Sequence, residues 1–85
     1  MEKNENLREI IFEIINNQLR NNTPPETKIT YDRLVKDGYD KFEVQQMIGQ
    51  CLAFEIYDIL DQSKPFNNKR YIKNLLALPE EPLQD

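Results

Sequence analysis

The sequence contains no histidine, no tryptophan, a single cysteine and only two glycines. Without histidine, neither a Ser–His–Asp nor a Cys–His catalytic system can be assembled. Zinc sites draw on histidine and several cysteines, so they are excluded too. The lone Cys51 rules out an intramolecular disulfide and fits a reducing compartment. Gly38 and Gly49 are too far apart to make a phosphate-cradling loop. No apolar run approaches the roughly 18 residues that cross a bilayer. Residues 1–6 are polar and lack the apolar centre of a signal peptide. These features predict a cytoplasmic protein with no cofactor, no metal and no membrane contact.

A basic excess is missing as well. Net charge is −4, and Glu80, Glu81 and Asp85 lie beyond Pro79, leaving residues 1–78 with 11 basic and 12 acidic side chains. Nucleic-acid binding shows as a surplus of positive charge on one face, so no nucleic-acid partner is expected. A single domain of 85 residues buries only about 60–65% of its unfolded surface. Its stability is then of the order of 5 kcal/mol, with little core from which to carve a ligand cavity.

What is present is helical periodicity. Leu7, Ile10, Ile11, Ile14, Ile15 and Leu19 recur at helical spacing, predicting a first helix over about 4–22. Phe12 and Leu19 widen its apolar arc beyond one face. Thr23 and Glu26 have the spacing of a capping box, with Pro24 and Pro25 tolerated in the first turn, predicting a second helix over about 25–37. Its stripe is Tyr31, Leu34 and Val35, and Gly38 is placed to terminate it. Asp40 and Glu43 repeat the box, flanked by Tyr39 and Val44 at the staple positions, and start a third helix over about 41–62. Pro65 ends it. Asn67 caps a fourth helix over about 68–77, with Phe66 and Tyr71 as its staple and Tyr71, Ile72, Leu75 and Leu76 as its apolar face. The fold class is therefore all-α, a compact bundle of four helices in one domain over 1–78. Residues 79–85 read as an acidic, disordered tail.

One residue breaks the third stripe. With Val44 at 0° on a helical wheel, Ile48, Cys51, Leu52 and Ile59 fall within about 80° of it, and Glu55 lies near 20°, in their midst. A carboxylate there must be paired, hydrogen-bonded or protonated, because burying a bare charge costs several kcal/mol. Arg70 and Tyr71 on the fourth helix and Arg33 and Tyr31 on the second are the candidate partners. Such a group is either a polar tie that sets helix register or a carboxylate held ready to bind or catalyse. Cys51, on the same stripe, reads as a packed thiol. Asp58 and Asp61 read as a solvated acidic edge, and Lys64, Lys69, Arg70 and Lys73 as a small basic cluster. Gly49 inside a helix costs about 1 kcal/mol, which a close helix crossing would offset.

Certain short motifs keep a common order: Pro24-Pro25-Glu26, Tyr31 with Arg33-Leu34-Val35, Gly38, Glu43, Ile48-Gly49, Leu52-Ala53, Glu55-Ile56, Pro65-Phe66, Arg70-Tyr71 and Leu78-Pro79. Through them, residues 22–79 resemble a family of small bacterial helical proteins and domains of unknown function. The resemblance implies a helical fold in which Glu55 and the Arg70-Tyr71 pair are features of the architecture. Members carry histidines around the first glutamate of the long helix in a His-Glu-x-x-His-like arrangement. Here Phe42 and Gln46 occupy those positions, and they cannot replace a pair of histidine ligands.

The leading expectation is a non-catalytic interaction or accessory module whose surface for a protein partner or a second copy includes Phe12 and Leu19. The alternative is a small ligand binder or enzyme built on Glu55 with Arg70 or Tyr71.

Overall fold

A computed structural model describes residues 2–82 of the chain, with side chains from residue 6 onward. It contains four helices: α1 Glu2–Asn21, α2 Pro25–Lys36, α3 Lys41–Gln62 and α4 Asn68–Ala77. No strand occurs among the described residues, and the architecture is an all-α four-helix bundle. No described helix is long and apolar enough to cross a membrane.

Local chemistry explains the boundaries. Asn22 turns α1 off with a positive φ of 56°. The expected Thr23 capping box does not form. Pro24 is the N-cap of α2 and has no side-chain cap, while the Thr23 hydroxyl donates back to the Asn21 carbonyl. With Pro25 opening the helix, Thr23 stands one residue too early to reach the amides of the first turn. Gly38 ends α2 at φ 108°; its N–H donates to Val35 O and that of Tyr39 to Leu34 O, the paired bonds of a Schellman motif. The second capping box is complete: Phe42 N donates to Asp40 Oδ2 at 3.0 Å and Asp40 N to Glu43 Oε1 at 3.2 Å. Tyr39, expected to staple onto Val44, is exposed and faces a groove described below. The other staple is formed, with the Phe66 and Tyr71 rings edge to face at 5.5 Å above the Asn67 cap.

The core comprises Ile11 and Ile15 of α1, Leu34 of α2, Val44, Ile48, Cys51 and Leu52 of α3, and Tyr71, Leu75 and Leu78 at the C-terminal end. α2 and α3 pack on each other and on both outer helices, whereas the α1 and α4 backbones do not abut. α1 crosses α3 at Gly49, where an added Cβ would lie 3.3 Å from Ile11 Cγ2. α2 and α4 advance side by side in the same direction, Thr30 and Arg33 reaching the carbonyls of Leu75 and Leu76.

Each of the four stripes differs from expectation in some residue. α2 buries Thr27, Thr30 and Leu34, with Tyr31 and Val35 only half-buried. The threonines tolerate burial because each hydroxyl is bonded: Thr27 Oγ1 to Gln18 Oε1 at 2.7 Å, and Thr30 Oγ1 to Leu75 O at 3.4 Å. Ile10, Ile59 and Leu76, read as core-facing, are exposed, because only the neighbours' positions decide where an apolar arc stops being covered. Beyond α4, Glu80 N–H donates to Ala77 O, and Glu81 and half-buried Pro82 lie beside Gln50, Ala53 and Phe54 of α3. Residues 83–85 of the acidic tail lie outside the described residues.

Candidate functional site

Two features stand out from the fold, one polar and sealed, the other apolar and open. The polar one is centred on Glu55, which is fully buried. Its position on α3 directs it at the start of α4. Arg70 Nε donates to Glu55 Oε2 at 2.6 Å and Arg70 Nη2 to Oε1 at 2.9 Å, a bidentate grip. The backbone N–H of Asn67 donates to Oε1 at 3.1 Å. Arg70 Nη2 also reaches Asp58 Oδ2 at 2.6 Å, one turn along α3. Asn67 in turn accepts the Arg70 N–H at 3.0 Å, so the same residue caps α4 and places the arginine. Glu55 first, and Asp58 after it, hold the Arg70 guanidinium charged well above its ordinary range.

Of the four candidate partners of Glu55, Arg70 is the one that engages it. Tyr71 points elsewhere: its hydroxyl donates to Gln18 Oε1 at 2.7 Å, the oxygen that also accepts from Thr27. Burial pushes the Tyr71 phenol up to about 12. Arg33 Nη2 reaches the Leu75 and Leu76 carbonyls at 3.4 and 3.5 Å, a positive group at the C-terminal end of α4. Tyr31 packs against the core. Asp58, read as a solvated edge, is half-buried in the ion pair, and Arg70 leaves the basic cluster to join it, with Lys64, Lys69 and Lys73 staying exposed. Cys51 is fully buried, and burial raises its thiol to about 12, so it carries no thiolate at neutral pH.

A cavity of about 340 Å³ between Asp58, the 64–68 loop and Arg70 borders this cluster, but Glu55 does not line it. Both Glu55 oxygens already accept hydrogen bonds from inside the protein. The cluster joins α3 to α4, and Asp58, whose Oδ2 accepts from Arg70, is its carboxylate on the cavity. Among the described residues, no group of three or more metal-ligating side chains is gathered to hold an ion.

The open feature is a groove of about 550 Å³ between α1 and α3. Leu7, Ile11 and Phe12 form one wall, and Met47, Gly49 and Ala53 the other, with Tyr39, Gln46 and Gln50 at the margin. Gly49 creates it, since the missing side chain lets Ile11 sit low over α3. Phe42, 52% exposed, stands at its edge with its ring against Phe12, centroids 6.1 Å apart. Phe12 is thus part of an exposed apolar surface. Phe12 and Leu19 are both half-buried against the core, and of the two it is Phe12 that lines the groove. Sequence reasoning missed Met47, Tyr39 and Phe42; the signal available was Gly49, whose close crossing implies a furrow beside it. No protein-family model, curated protein or solved structure matches the chain.

Proposed function

We propose that the chain is a small cytoplasmic, non-catalytic interaction module that docks a protein through the α1–α3 groove. The observation that carries this reading is the groove itself: an open furrow of about 550 Å³ whose walls include Leu7, Ile11, Phe12 and Met47. Apolar grooves between helices take the apolar face of another helix, and methionine adapts its shape to what it meets. The exposed Phe42 ring at the edge adds area that water would otherwise cover unfavourably. Support also comes from the other feature, since Glu55, the residue on which a ligand-binding or enzymatic alternative would be built, has both oxygens committed to internal donors.

The test is a photo-crosslinking residue placed at Gln46, on the groove margin, and at Lys36, exposed on α2. A discrete crosslinked protein identified from position 46, absent from position 36 and lost with Met47→Glu, is the expected result. No crosslinked species from position 46, or the same species from both positions, would refute the reading.

A further inference from the structure

We infer that the occupant of the α1–α3 groove is a second copy of this chain, arranged about a two-fold axis with Arg8 of each copy against Glu43 of the other. This rests on the groove being a docking surface and identifies what docks there. The argument is electrostatic. Among the described residues, Arg8 and Glu43 are the charged side chains that line the groove. Neither takes part in an ion pair among the described residues, and Glu43 commits one oxygen, Oε1, to the N-cap of α3. The chain as a whole carries −4, so two copies repel unless they meet on a face that adds nothing to the repulsion. The groove is such a face, with one cation and one anion around an apolar floor.

Symmetry turns that pairing into two identical contacts. In an isologous interface, what residue i of one copy does to residue j of the other is repeated by j to i. One Arg8–Glu43 pair therefore implies a second, and no charge on the groove is left without an opposite. α1 and α3 have 20 and 22 residues, and two such helices side by side outline roughly 30 by 20 Å. That is below the ~800 Å² per partner of a standard interface, so the dimer belongs among the small, transient interfaces and is sought over a wide concentration range. Met47 and Phe12 of the two copies would meet across the axis.

Sedimentation equilibrium on the full chain from roughly 10 μM to 1 mM reads the state directly. A concentration-dependent dimer is expected, weakened at least tenfold by Arg8→Glu and by Glu43→Arg alone, each of which sets two like-charge pairs face to face. An equimolar mixture of the two single variants should recover the dimer, because each then meets an opposite charge at both contacts. Circular dichroism verifies folding; Arg8→Glu leaves the α3 cap untouched and is decisive should Glu43→Arg unfold. A monomer at every concentration, or a dimer indifferent to Arg8→Glu, overturns the inference. If that monomer still crosslinks a different protein from position 46, the groove remains a docking surface with another occupant. If it crosslinks nothing, both readings fall.

Discussion

Arg70 holds Glu55 with two nitrogens, Nε at 2.6 Å and Nη2 at 2.9 Å, at a point where the carboxylate has no contact with solvent. Breaking a buried pair by removing one partner costs about 3–5 kcal/mol, because the other charge is left uncompensated. Against a total near 5 kcal/mol for a domain of this size, Glu55→Ala should leave about 0–2 kcal/mol, so that the chain stands close to its unfolding midpoint without denaturant. Asp58→Asn removes only the outer, partly exposed acceptor and should cost about 1 kcal/mol or less. Urea denaturation of both variants checks the ranking, and equal effects would place the tie elsewhere.

The side-chain amide oxygen of Gln18 serves two buried hydroxyls, those of Thr27 and Tyr71. Gln18→Ala takes this acceptor from both hydroxyls, which then have only each other, so one donor is left unsatisfied at about 1–3 kcal/mol. Tyr71→Phe removes a donor and leaves the amide bonded to Thr27, so it should be the milder change. Thermal melts of the two variants give the comparison.

Alkali should unfold the protein before it affects the unfolded chain's solubility. Cys51 rises from its ordinary value of 9.0 to about 12, and Tyr71 from 10.0 to about 12, both chiefly by burial. In each case the fold favours the protonated form. The unfolded chain releases these protons first, so stability is intact below about pH 9 and falls progressively towards pH 12. Denaturation curves across this window should show a slope that Cys51→Ala makes shallower; a flat profile from pH 9 to 12 would contradict the assignment.

Gly49 sets the depth of the groove. A Cβ there would stand 3.3 Å from Ile11 Cγ2, so a branched side chain must push α1 away. Gly49→Val should cost about 1–3 kcal/mol by overpacking, despite valine's higher helix propensity than glycine's. It should also change the near-ultraviolet circular dichroism of the Phe12–Phe42 pair.

Much of this fold was legible because its punctuation is chemical. Asp40, Glu43, Asn67 and Gly38 act locally, through hydrogen bonds to amides and carbonyls a few residues away, and each does what its type and spacing imply. Thr23 failed because two prolines follow it and the helix begins one residue later. Glu55 was legible as a buried carboxylate, since a charge in an apolar stripe has few solutions. Its partner was not, because Arg70 and Arg33 are equally near in the sequence reading and only the approach of α4 separates them. Burial of Thr27 and Thr30 escaped for the same reason: the acceptors that make it tolerable, Gln18 and the Leu75 carbonyl, are on other helices. The groove depends on how α1 crosses α3, which periodicity along one helix does not encode.

Met47 lines the groove and is one of only two methionines in the chain, the other being Met1. Selective labelling of methionine methyl groups therefore places a nuclear magnetic resonance reporter directly on the surface at issue. On dilution from a concentrated sample, the Met47 resonance should shift continuously as copies separate, and filtered spectra of mixed labelled and unlabelled chains should show contacts from it to Ile11 or Phe12 of the other copy. A Met47 resonance that stays fixed over the whole range, with no contacts between chains, would contradict the account.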